Sequence, residues 1–319
     1  MSEKTLTKRK FNFKDQRLLL CIVIILIVVI VSIANPKFIE MSNILSIFKQ
    51  ISVMGILTMA MAMLLISGGI DLSIGNIMAL SAVVMANMIM SGSSVMLSVV
   101  AGIAVGAACG ILNGFIIAKS KCVPLIISLG TSQIFYGLSL TISQGRIMNF
   151  DSQFDAIGSG KIGDVFPVML FFLIAMVIIA YVIINYTKFG RRIVAIGGNE
   201  KNAYLSGINV DGHKIAVYLI SGLFCGVAAI IFAARLDSIT ATAGSGYELS
   251  ALTAAIIGGI TFERGRGTIP GAFLGCLFMG IIANAMNILG VESYTQTIIT
   301  GIIIVGAVVL SNISNLKKK

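Results

Sequence analysis

Ten stretches of the chain are apolar almost without interruption: residues 18–34, 51–66, 74–90, 95–118, 124–143, 166–184, 214–234, 249–260, 269–289 and 295–312. They are continuous rather than alternating, so they read as helices and not as barrel strands. At about 20 residues per crossing, the pattern predicts an all-α integral membrane protein with about ten transmembrane helices. The stretch 249–260 is too short for an ordinary crossing. It reads as a half-helix or as a span completed by the turn after it. Residues 38–50 place Phe38, Met41, Leu45 and Phe48 on one face, which predicts a short helix lying in the membrane interface.

The polar interruptions divide the chain. A basic tail occupies 1–17, the spans fill 18–312, and a second tail covers 313–319. The run 18–34 reads as a retained first helix, not a cleaved leader. The segment 190–212, GRRIVAIGGNEKNAYLSGINVDG, combines polarity with signals of ordered structure. Asn199 can cap a helix with Glu200 in its first turn, and Gly207 can end it. A short helix over 200–206 is expected there, between glycine hinges at Gly197–Gly198 and Gly207. Such an element suits docking into a partner's groove, although a solvated connector with a capped turn would look the same.

Composition agrees with the pattern: 57% of residues are hydrophobic and 11% charged, against about 25% charged in soluble domains. The net charge of +10 would point to nucleic acid in a soluble protein. Here it follows the positive-inside rule. Of the 23 basic residues, only Lys37, Lys49, Arg146, Lys161 and Arg235 fall in segments assigned to the outside. An even number of crossings with both termini cytoplasmic satisfies this bias, and no nucleic-acid partner is expected. The five cysteines show no metal-type spacing and read as free thiols. His213, the one histidine, is expected to be solvated.

The candidate chemistry is sparse. No P-loop is present, so the chain cannot bind ATP by that route. An ionisable residue in a span costs about 2.5–3.5 kcal/mol, and the spans hold none apart from Asp71 at a helix break. A proton-coupled carrier is therefore disfavoured; a passive channel or an externally driven transporter remains. Asp71 and Ser73 could expose polar groups near a pathway, or Asp71 could simply precede a helix as a surface anion while Ser73 caps it. The amides within spans are Asn76, Asn87, Asn113, Gln133, Asn284, Asn287 and Gln296. All but Asn87 join Asp71 and Ser73 as candidate pathway residues, since an amide suits a neutral polyhydroxylated solute. Interhelical hydrogen bonding is the plainer reading of each. The spacing shared by Gly68-Gly69-Ile70 with Gly75 and Gly258-Gly259-Ile260 with Gly265 is read as coincidence in a chain of 34 glycines.

Four motifs in order, SGGIDLSIG at 67–75, GRRIVAIGGNEKNAYLSGINV at 190–210, ATAGSGYEL at 241–249 and NAMNILGVESYTQ at 284–296, resemble those of the ribose-type permeases. These are membrane subunits of bacterial ATP-binding cassette importers for monosaccharides. The likeness covers nearly the whole chain. It departs at Phe262-Glu263-Arg264-Gly265-Arg266-Gly267, where the family is glycine-rich. The resemblance implies a non-catalytic, cofactor-free subunit of the bacterial inner membrane, in contact with lipid. Its expected partners are a second permease subunit, two cytoplasmic ATP-binding subunits and an extracytoplasmic sugar-binding protein. Gly190, Arg191, Arg192, Gly197, Gly198, Asn199, Glu200, Ala203, Ser206 and Gly207 would then couple the chain to the ATPases. The outer segments 144–165 and 235–249 would meet the binding protein. Alternatives are a stand-alone channel for a small neutral solute, or the same architecture with another sugar, a signalling sugar or a branched-chain amino acid as cargo.

Overall fold

The structure, a computed structural model, describes residues 16–163, 165–261 and 265–316. Asp164, the 262–264 part of the divergent turn, most of the first basic tail and Lys317 to Lys319 lie outside the described residues. The fold is helical: α1 (Gln16–Ala34), α2 (Met41–Ile66), α3 (Ile74–Met90), α4 (Val95–Ser120), α5 (Pro124–Ser143), a one-turn α6 (Asp155–Gly158), α7 (Val168–Tyr186), α8 (Lys188–Gly198), α9 (Glu200–Leu205), α10 (Val210–Leu236), α11 (Tyr247–Ile257), α12 (Ile269–Ile288) and α13 (Ser293–Leu316). Among the described residues, seven helices are long and apolar enough to cross a membrane; α3, α11 and the described part of α13 are apolar but shorter.

Helix α2 is the centre of the bundle, buried from Ile51 onwards with Met54 only partly so. Helices α7, α10, α11 and α12 surround it. Lipid offers no hydrophobic drive between helices, so close contact depends on small residues. Helices α4 and α10 meet this way: Gly106 and Gly222 touch so closely that a Cβ on either would strike the other's backbone, and Gly110 packs on Tyr218 in the same manner. Large apolar side chains of α1, α4, α5, α7 and α13 remain exposed around the outside, as a lipid-facing surface requires.

The chain departs from the sequence expectation at several points. Asn35 caps a 3-10 turn, Pro36–Ile39, and the rest of the expected interfacial helix is simply the first half of α2. Phe38 is buried against the bundle rather than laid on lipid. The expected connector before α9 is helical, with Gly197 and Gly198 closing α8. His213 is partly buried and stacks on Phe189, ring centroids 5.7 Å apart.

At one end of the bundle, two loops are tied together. Strand β1 (Met148–Asn149) pairs antiparallel with β4 (Ser238–Ile239), and Asp237 accepts the backbone N–H of Ser152 at 2.9 Å. Strands β2 (Lys161–Ile162) and β3 (Phe166–Pro167) pair beside them. The segment following β4, expected to remain at the surface, turns back into the bundle, where Gly244 packs on Gly75. Helix α11, 11 residues long, covers about 16 Å, roughly half of a 30 Å hydrocarbon core. Helices α2 and α11 end alike, with Gly68 (φ +80°) and Gly259 (φ +92°) in the left-handed conformation. Gly69 N–H reaches back to Leu64 O, and Ile260 N–H to Ala255 O. The shared capping geometry therefore aligns Gly68 with Gly259, one residue off the spacing seen in the sequence.

Candidate functional site

Helices α8 and α9 form a ledge on one face of the molecule. Thr187 starts α8 by accepting the N–H of Gly190 at 2.9 Å. Gly190 itself is buried under the end of α7, where a Cβ would strike the carbonyls of Ile183 and Ile184. Ile193 and Ile196 face inward, whereas Arg191 and Arg192 are exposed. Asn199 ends the extended joint and caps α9, its Oδ1 accepting Asn202 N–H at 2.8 Å. Glu200 meets Lys214 of α10 at 2.7 Å. Gly207, at φ +80°, closes α9 as its sequence position predicts, and Ile208 N–H returns to Ala203 O. Ser206 donates its hydroxyl to Asn202 O.

Ala203 does not face outward. It is buried with Ile196 and Val210 in a small core beneath α9, so it positions the helix from below. The large apolar side chains that α9 presents to solvent are Tyr204 and Leu205, 70% and 72% exposed. Sequence reasoning missed both. Two large apolar residues beside a small one on so short a capped helix were the available signal.

The ledge stands directly on the backbone of two other turns. A Cβ on Gly197 would strike Ile66 O and crowd Gly68, while one on Gly265 would lie 2.5 Å from the Gly197 carbonyl carbon and 2.8 Å from Ile66 O. Beside this junction, a cavity of about 300 Å³ is lined by Gly68, Lys121, Pro124, Glu200 and Lys214, among others.

The turn from α2 to α3 carries Asp71, which is fully buried and not a surface anion. Its Oδ1 accepts Ser73 N–H at 2.8 Å and the Ser73 hydroxyl at 2.5 Å, and its Oδ2 accepts the Asn113 amide at 3.1 Å. Asn113 also donates to Ser73 Oγ at 2.8 Å. Ser73 therefore spends its hydroxyl on Asp71 and makes no side-chain cap on α3. Tyr218 of α10 donates to Ile70 O at 2.7 Å. The turn is thereby bound to α4 and α10 at once.

The remaining amides separate. Asn284 and Asn43 exchange reciprocal amide hydrogen bonds at 2.9 Å, fastening α12 to α2. Gln296 donates to Asn287 Oδ1 at 2.9 Å and to Val291 O at 2.8 Å, fixing the α12–α13 turn. Asn76 donates to Ser132 Oγ at 2.8 Å across α3 and α5. Gln133, the next residue on α5, is exposed.

A bundle of helices long and apolar enough to cross a membrane, with a capped helical ledge on one face, is the build of a multi-pass membrane protein. The chain belongs to the family described as "Branched-chain amino acid transport system / permease component", which matches residues 43–308, and it is a multi-pass inner-membrane protein. It is similar to the ribose import permease protein RbsC of Bacillus subtilis, 39% identical over 284 residues with 88% of each chain covered. The protein of the same name from Escherichia coli K12 is 35% identical over 98% of this chain and 99% of the relative. The D-allose transport system permease protein AlsC of Escherichia coli K12 is 35% identical over 96% and 95%. No solved structure matches the chain.

Proposed function

We propose that the chain is the non-catalytic membrane subunit of an ATP-driven importer for a monosaccharide, ribose or a close relative. The relatives named for ribose and allose support a sugar over an amino acid as cargo. The observation that carries the mechanism is the ledge: Tyr204 and Leu205 stand exposed on a doubly capped helix. Both termini and the ledge lie on the cytoplasmic side, as the distribution of basic residues requires. Two ATP-binding subunits dock on α9, one for each of two permease subunits, most simply two copies of this chain. Closure of the ATPases presses α9 and α8 against the turns at Gly68 and Gly265. Asp71, Asn113 and Tyr218 carry that movement into α4 and α10, and the bundle alternates between inward and outward access. A soluble sugar-binding protein meets the opposite face at β1, β4 and their loops. Asn76 and Gln133 border the sugar's route. Asp71, Ser73 and Asn113 act beside it by holding the turn, and Asn284, Asn287 and Gln296 by fastening helices.

The test is uptake of labelled ribose into proteoliposomes containing the chain, its ATPase and its binding protein. Uptake is expected to require ATP and all components. Ribose entry through the chain alone would instead identify a facilitator. Tyr204→Ala with Leu205→Ala is expected to weaken ATPase binding at least tenfold without lowering the thermal stability of the isolated chain. Undiminished binding would remove α9 from the interface.

A further inference from the structure

The re-entrant segment between β4 and α11 brings a carboxylate to the middle of the bundle. Asp71 bonds to Asn113, while Ser81 and Met85 meet Gly102, so α3 runs antiparallel to α4. Gly75 therefore lies level with the middle of α4, where α4 crosses Tyr218 and Gly222 of α10. Gly244 sits on Gly75, each glycine leaving no room for a Cβ on the other. Four residues on, Glu248 folds back in the first turn of α11. One carboxylate oxygen accepts Gly246 N–H at 3.1 Å, and the other lies 2.7 Å from where a Gly75 Cβ would stand. Among the described residues, no cation pairs with it.

The surroundings are polar and open. Thr242 and Ser245 are exposed, Glu248 is partly exposed, and Asn76 abuts Gly244. Irregular backbone and a charged group at this depth cannot face hydrocarbon; they persist where they line water or protein. Resting on the importer reading above, we propose that this notch is a halfway binding site for the sugar, with Glu248 as its specificity-determining residue. A carboxylate accepts hydrogen bonds from two neighbouring hydroxyls at once, and the Ser245 hydroxyl in the same segment both donates and accepts. A polyhydroxylated ring satisfies that set, whereas an apolar solute leaves it unpaired.

The experiment uses the complete importer in proteoliposomes, labelled ribose and saturating binding protein. Glu248→Gln keeps an acceptor for Gly246 N–H and removes the charge. With the ATPase still co-eluting, it is expected to cut maximal ribose uptake roughly tenfold or more, with Glu248→Asp recovering part of the loss. Wild-type uptake by Glu248→Gln would overturn the proposal. The second measurement is labelling of Glu248→Cys by a membrane-impermeant maleimide, in a chain whose exposed Cys122 is replaced by serine. Labelling slowed by excess ribose is expected. No labelling, or labelling indifferent to ribose, would overturn the site even if uptake had fallen, because it would leave Glu248 only a structural role. If the wild-type assembly imports no sugar under ATP, the importer reading itself fails, and that failure is seen before any variant is compared.

Discussion

The ledge of α8 and α9 and the interior junction of α3, α4 and α10 are built on opposite plans. The ledge is local. Thr187, Asn199 and Asn209 each cap the helix that follows within three residues, and Gly207 closes α9. The junction is non-local: Asp71 reaches Asn113, Tyr218 reaches Ile70, and Gly106 touches Gly222. The caps of the ledge are interchangeable and worth a small energy each, so those positions tolerate change, whereas Gly190 and Gly197 are held by close backbone contacts. The junction has no spare volume, and its buried carboxylate is held by Ser73 and Asn113.

Substitutions should therefore separate the two regions by size of effect. The largest is expected from Gly222→Leu, which drives a side chain into the Gly106 carbonyl. Overpacking of this kind costs about 1–3 kcal/mol or more, and the protein should fail to elute as a monodisperse species in detergent. Asp71→Ala comes next. It strands the Ser73 N–H and hydroxyl in the interior at about 1–3 kcal/mol for an unsatisfied group, and a lower thermal midpoint of the solubilised chain would report it. Gly197→Val lies where the regions meet. It is expected to leave the ATPase bound but reduce ATP-driven uptake more than tenfold; normal uptake would show that the contact with Ile66 and Gly68 transmits nothing. The smallest is Asn199→Ala, which loses one cap worth about 0.5–2 kcal/mol. Faster hydrogen exchange confined to 200–206, with an unchanged midpoint, would mark the ledge as energetically separate. A fall in the midpoint as large as that of Asp71→Ala would erase the distinction.

The same division decides what could be read from the chain. Caps and helix ends are short-range, so the start of α9, its stop at Gly207 and most span boundaries were legible. The motifs were legible too, and with them the family. Continuous apolar sequence carries no mark of a fresh start, so the joining of 38–50 to α2 was hidden. Helix α8 was masked by its glycines, which helix propensity disfavours, although the approach of Gly197 to Ile66 and Gly68 requires one there. Asp71 read equally as surface or interior, because nothing near it in sequence names Asn113 as its partner. Glu248 was assigned to an outer loop, since only the long-range contact of Gly244 with Gly75 draws that loop inward.

Gly68, Gly197 and Gly265 meet with no side chain between them. A joint cushioned by leucines would absorb part of any shove through rotamer changes; bare main chain has no such slack. At that joint a shift of Gly197 passes from main chain to main chain, as in a gear train without backlash.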